Sequence, residues 1–237
     1  MATVYLVAIP NLGLTSTSAV ASKLGTLRSD IRGAFDMAVL HRRPYRLVFM
    51  LVSGDYWLET TDAEYFKMGD YDRGRDLTEI EEKERLEEFE AQFEEYIDLA
   101  GSEINDADNE RVIGPQSPLV MAKERLMPAK WVKVSDAEWK KRSLGPELII
   151  QDILTEHHDE KFTFEDLGEE ARAILYFLPQ GYVERMVMHI AYRGAELTEI
   201  DRDEPPYTLT TRPYVGLSDV VVGYEDVGLY EDAKKGS

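Results

Sequence analysis

From Leu14 to His41 the chain runs without a proline, and apolar residues return along it at Val20, Leu24, Leu27, Ile31, Phe35 and Val39. Intervals of three and four put these residues on one stripe of an α-helix, with Ala34 and Ala38 filling the same side. Thr15, Ser16 or Thr17 can cap its start, and Pro44 stops it. Such a helix is about 42 Å long at 1.5 Å per residue. One small sheet cannot cover that length. The stretch from Val4 to about Val20 is therefore expected to project, and its apolar part needs lipid or partner helices around it.

Pro44 also marks a change of pattern. Tyr45 to Val52 is a strand candidate, Ser53-Gly54-Asp55 a turn, and Tyr56 to Thr60 a second strand, which together predict a hairpin directly after the helix. Thr61 to about Arg75 is polar and irregular. Asp76 to Leu99 then carries 11 Asp/Glu against 2 Lys/Arg. Leu86, Phe89, Phe93, Ile97 and Ala100 give this block a helical apolar face, expected to pack while the carboxylates are solvated. Asn105 to Pro118 reads as loop. A second helical or mixed stretch is expected to reach Arg142, anchored by Trp131 and Trp139. Beyond Gly145-Pro146 the strand candidates are Leu148–Leu154, Ala173–Leu178, Val183–Tyr192 (pairing with the one before it), Tyr207–Thr210 and Asp219–Val222. One long helix followed by antiparallel strands is an α+β fold. The simplest division is a helical spine at 1–43 and a β-rich head at 44–237, with a helical insertion at about 62–145.

Composition narrows the partners. The 237 residues carry a formal charge of -19, which repels nucleic acid phosphates and anionic lipid alike. There is no cysteine, so thiolate metal sites, disulfides and cysteine nucleophiles drop out together. The opening apolar run, Ala2 to Ile9, stops at Pro10, short of the roughly 20 residues a spanning helix needs.

Chemistry-bearing clusters are sparse. His157-His158-Asp159-Glu160 can be drawn as a metal site. Adjacent side chains on a strand point to opposite faces, however, and a solvated loop is the expectation. His189 sits in an apolar strand and reads as a core or cross-strand histidine rather than a catalytic base. Neither a Gly-x-Ser-x-Gly elbow nor a phosphate loop is present. Asp106, Asp108 and Glu110, like Asp70 and Asp72, offer the oxygen ligands that calcium takes. Their spacing is not that of an EF-hand, so a solvated acidic loop and no cofactor are expected.

Three features resemble the prepilin-type family. The chain opens on an apolar run ending Ala8-Ile9-Pro10-Asn11-Leu12 and continues into a long amphipathic helix. That helix runs into a hairpin reading Arg46-Leu47-Val48-Phe49, then Gly54-Asp55-Tyr56-Trp57-Leu58-Glu59. Tyr176-Phe177-Leu178-Pro179-Gln180-Gly181 is similar to the aromatic-x-Pro-x-Gly turn of H-type minor pseudopilins of type II secretion systems, with Phe177, Pro179 and Gly181 in the motif positions. Tyr207-Thr208-Leu209 and Pro213-Tyr214-Val215-Gly216 follow near that family's closing segment. The resemblance covers about residues 1–60 and 170–222.

What the resemblance implies is a non-enzymatic filament subunit. Its partners would be other pseudopilins, the inner-membrane secretion platform and the secretin. It would be anchored once in the bacterial inner membrane, with its head in the periplasm. The stripe Leu24, Leu27, Ile31 and Phe35 would be the assembly helix and lie against the head's own sheet, while Lys23, Arg28, Asp30 and Arg32 would meet neighbouring subunits. The family's glycine-aromatic processing site is absent and is expected upstream of Met1, so that 1–10 is the remnant of the anchor. Two alternatives stay open: a minor pilin of a type IV pilus, which shares the first two features, and a soluble acidic binding domain or hydrolase, which a buried, converging cluster of ionisable groups in a pocket would mark.

Overall fold

The proline-free stretch becomes a single helix, α1, over Leu12–His41. The computed structural model describes residues 12–63, 66, 68, 83–84, 87–92, 94–95, 129–135, 139–158, 160–164, 171–196 and 198–229, with side chains from Ser18 onward. Val20, Leu24, Leu27, Ile31, Ala34, Phe35 and Ala38 are buried, so the three-and-four spacing of the sequence does define the inward face. Val39 does not belong to it and is 43% exposed. It lies one turn past Phe35, beside Gly181. Arg42 closes the helix in the left-handed region at φ 54, and Arg43 N–H donates back to the Ala38 carbonyl.

Two antiparallel sheets receive that face. In the first, β1 (Tyr45–Met50) pairs with β2 (Asp55–Thr60) as the expected hairpin, Val48 facing Trp57 and Phe49 facing Tyr56. On its other side β1 pairs with β7 (Arg172–Leu178), which pairs in turn with the short β8 (Tyr182–Val183). The strands β3 (Val132–Lys133) and β4 (Arg142–Ser143) pair with opposite ends of β2. The second sheet runs β11 (Leu217–Val222), β10 (Tyr207–Arg212), β9 (Met186–Tyr192), β5 (Leu148–Thr155), β6 (Phe162–Thr163). One core unites the three layers: Leu27 and Ile31 of the helix, Leu47, Phe49 and Leu175 of the first sheet, Ile150, Met188 and Leu209 of the second. The α+β class and the antiparallel strands are as the sequence predicts.

Pairing differs in one place. Val183–Tyr192 is not the partner of Ala173–Leu178; only Tyr182 and Val183 pair with β7, and β9 lies between β5 and β10 in the other sheet. Glu184 is the reason. Its buried carboxylate accepts from the main-chain N–H groups of His157 (2.8 Å) and Tyr176 (3.2 Å), tying one sheet to the other. Thr211 Oγ1 donates to the Glu184 carbonyl and accepts from Met186 N–H, so the crossing strand is held on both sides of Arg185. Burial of every residue from Met186 to Ala191 then suits a central strand covered on both faces.

The segment between β2 and β5 is seen in part. The described residues of its end are extended rather than helical, because β3 and β4 complete the first sheet. Residues 87–92 and 94–95 are helical, with Phe89 half-buried and Glu87, Glu88, Glu90, Glu94 and Glu95 exposed. Leu86, Phe93, Ile97, Ala100 and the calcium candidates Asp106, Asp108 and Glu110 lie outside the described residues, as do Asp70 and Asp72. The outer face of the first sheet is nonetheless covered. Val48, Ile174 and Tyr176 form a second apolar cluster under Trp57, Phe66 and Trp131, and the rings of Phe66, Trp131 and Tyr176 touch one another at centroid distances of 5.4 to 5.8 Å.

Candidate assembly surface

Leu24, Leu27, Ile31 and Phe35 all point into this chain's own core, and the turn residues converge on the last of them. Leu178 to Gly181 is a turn closed by Gly181 N–H to the Leu178 carbonyl at 3.1 Å, with Pro179 supplying its fixed φ and Gly181 at φ +83. Phe177 is fully buried beside it, and Gly181 faces Val39 and the tip of the Phe35 ring. From the other side, the 3-10 turn Pro213–Val215 ends on Gly216 at φ 61, ψ 23. A Cβ at Gly216 would run into the Phe35 ring. Two glycine-ended turns, one from each sheet, thus close on one aromatic side chain of the helix.

Around this clamp lies an exposed apolar collar. Leu40 is 77% and Tyr214 76% exposed, Val39, Val215 and Leu217 are about half as open, and Tyr182 stands edge-on to Tyr214 at 5.3 Å. Two ion pairs flank it: Arg32 with Asp36 at 2.9 Å along the helix, and Arg212 with Asp219 at 2.5 Å across β10 and β11. The helix's polar face serves the chain itself more than the sequence reading expects. Arg28 Nε donates to the Ser218 carbonyl at 2.9 Å on the edge strand β11, and Arg32 to that of Val215 in the turn before it. Asp30 is buried, not a surface group. It accepts from Tyr56 Oη at 2.8 Å and from Arg142 Nη1 at 2.7 Å. Burial pushes its carboxyl up, against the pull of the Tyr56 hydrogen bond and the Arg142 charge. The same burial, with Asp30 beside it, pushes the Tyr56 phenol up. Lys23 is exposed.

Beyond Val20, the first buried residue among those described, the helix backbone continues back to Leu12, and Ser18 and Ala19 are exposed. No helix among the described residues is long and apolar enough to cross a membrane.

The histidines depart from expectation in one case and agree in another. His157 and His158 are not solvated: both side chains are buried, and His157 Nδ1 pairs with the Glu184 carboxylate at the sheet crossing. They fill space behind Tyr176 and Phe162. His189 is the fully buried cross-strand histidine the sequence suggests, its Nδ1 2.5 Å from Asp152 Oδ1 on β5. Asp152 also lines a recess of about 390 Å³ with Gln151, Thr163, Ala191, Asp201 and Arg202. A histidine–aspartate pair beside a recess has the parts of a general base. However, the nitrogen a base would present, His189 Nε2, is taken by the Glu225 carbonyl at 3.0 Å. Among the described residues, no group of three or more His, Asp or Glu side chains is placed to hold a metal ion. Sequence reasoning missed the Asp152 and Glu184 partners because they lie 37 and 27 positions from their histidines, with no motif between them. Set against family models, curated proteins and solved structures, the chain matches none of them.

Proposed function

We propose that the chain is a minor pseudopilin, a structural subunit of a type II secretion pseudopilus that acts by assembly rather than catalysis. It would be held in the bacterial inner membrane through the N-terminal extension of α1, with its head in the periplasm. The observation that supports this most is the clamp on Phe35. The two segments that resemble the H-type minor pseudopilins, Phe177 to Gly181 and Pro213 to Gly216, are distant in sequence, yet both end on the same side chain of the long helix. A motif residue with no structural role would have no reason to lie there. The exposed collar of Val39, Leu40 and Tyr214 offers neighbouring subunits an apolar footing, and the acidic segment around residues 87–95 would be a decoration of the head.

The test is made in the native host. Loss of the gene should leave folded exoproteins in the periplasm, and the tagged protein should co-purify with other pseudopilins from the inner-membrane fraction. Introducing Leu40→Glu into the chromosomal copy should reduce export while leaving the head folded. Export that proceeds normally without the gene, with surface pili lost instead, would move the protein to a type IV pilus. Intact export and intact pili would end the reading.

A further inference from the structure

The outward face of the second sheet carries a histidine with no ring nitrogen to spare. After β11 the chain turns at Gly223, φ +116, whose N–H donates to the Pro206 carbonyl at 2.7 Å, and residues 224–229 return over β10 and β9 as a strap. Thr208 of β10 pins its start, donating to the Gly223 carbonyl at 2.7 Å and accepting from Glu225 N–H at 2.9 Å. Tyr224 lies flat on the His189 ring, centroids 3.8 Å apart and planes 15° from parallel, and its hydroxyl donates to Asp152 Oδ2 at 3.2 Å. Farther along, Asp226 pairs with Lys161 at 2.5 Å, and the Leu229 carbonyl accepts from Arg185 at 3.2 Å.

His189 sits beneath this strap, fully buried. Nδ1 faces the Asp152 carboxylate and Nε2 faces the main-chain oxygen of Glu225. An amide oxygen has no proton to give, and an ionised carboxylate has none either. Both contacts are hydrogen bonds only when the histidine–aspartate pair carries one proton more than a neutral ring beside a carboxylate. Asp152 also accepts from the Tyr224 hydroxyl, which suits the ionised carboxylate and puts that proton on the ring, so that both ring nitrogens donate. Without it, the remaining N–H goes to the charged acceptor, Asp152, as the stronger bond. The bare Nε2 then faces the Glu225 carbonyl, lone pair against lone pair.

We propose that His189 and Asp152 form a proton-held latch for the C-terminal strap, closed while the pair keeps its extra proton and released at Glu225 when that proton leaves. The groups that face the ring are few. Asp152 comes from β5, Lys161 from the turn before β6, Tyr224 and Asp226 from the strap, and the non-titrating Thr208 from β10. Asp226 favours the charged ring, and it also neutralises Lys161, while the Arg185 guanidinium is engaged farther along at the Leu229 carbonyl. Rising pH is therefore the releasing direction. Release is local, because the contacts of Gly223, Thr208, Lys161 and Arg185 with the strap do not depend on the proton. What it frees is the Glu225 carbonyl and the turn that Val227 N–H closes onto it. The latch lies on the sheet face away from the Phe35 clamp and stands or falls apart from the filament reading.

The test uses the whole 237-residue chain labelled with 15N. Imidazole spectra across pH should find both His189 nitrogens protonated wherever the strap is closed. Exchange of the Val227 amide, which donates to the Glu225 carbonyl, should accelerate by about tenfold or more beyond its intrinsic pH dependence at the same midpoint, while the β9–β10 ladder stays protected. In His189→Gln that extra acceleration should vanish. A singly protonated His189 ring under a protected strap, or an unchanged pH response in His189→Gln, would overturn the latch. Should that variant not fold, the wild-type ring spectra alone decide.

Discussion

Gly181 and Gly216 look equivalent in sequence, each closing a turn next to a proline, and the structure separates them by what stands beside the missing side chain. At Gly181 the nearest atoms, on Val39 and Phe35, are 3.8 and 4.0 Å from where a Cβ would be, ordinary contact distance. Only the positive φ resists substitution. At Gly216 the Phe35 ring fills the space outright. Gly181→Ala should cost about 1 kcal/mol, the strain of a left-handed residue. Gly216→Ala adds the displacement of a buried ring and should cost about 3 kcal/mol or more. Urea unfolding of the two variants gives the comparison, and equal losses would mean that Phe35 is not gripped from the second sheet.

At the level of elements, α1 is fixed to the rim of the first sheet by Asp30, which joins Tyr56 on β2 to Arg142 on β4. Its carboxyl is raised in the folded chain, so the native state holds this proton more tightly than the unfolded state does. The sign follows: the cost of ionising Asp30 is absent below pH 3.8, grows as pH climbs towards its raised folded value, and is complete above it. Relative to Asp30→Asn, the wild-type chain should therefore lose stability as pH rises through that window. Chemical unfolding of both at several pH values measures it, and parallel curves would refute the burial. The same helix illustrates what a sequence makes legible. Its apolar stripe, stop and hairpin are local patterns, and Val20 to Ala38 lie inward as their spacing says. Asp30 looked like a surface charge because its partners sit 26 and 112 residues away. The crossing at Glu184 was hidden for the same reason: a hairpin turn at Pro179–Gly181 suggests that the next strand stays in the sheet, and only the distant Thr211 and His157 draw it out. Of the candidate site, the turn residues were readable and their meeting at Phe35 was not.

At the scale of the whole molecule, the core formed among the described residues draws on no side chain of the acidic helix. Helix, first sheet and second sheet share one apolar cluster, and among the described residues the segment between β2 and β5 adds to it chiefly through Val134, Trp139 and Leu144, near the segment's end. Deleting Asp76–Leu99 should accordingly leave a head that melts cooperatively within about 5 °C of the parent, since few core contacts are removed. A broad, non-cooperative melt in calorimetry would place that helix in the core instead. The three tryptophans give such an experiment a second channel. Trp57 and Trp131 belong to the cover on the outer face of the first sheet, under Lys133 and Arg46 respectively, and Trp139 rests against Gly33 of α1. All three are half-buried, and Trp139 packs against the shared interior from its outside rather than within it. Indole emission from this protein consequently gauges how its wrapping is seated, and a shift in colour that precedes the loss of far-ultraviolet dichroism would mean the coat had lifted from an intact body.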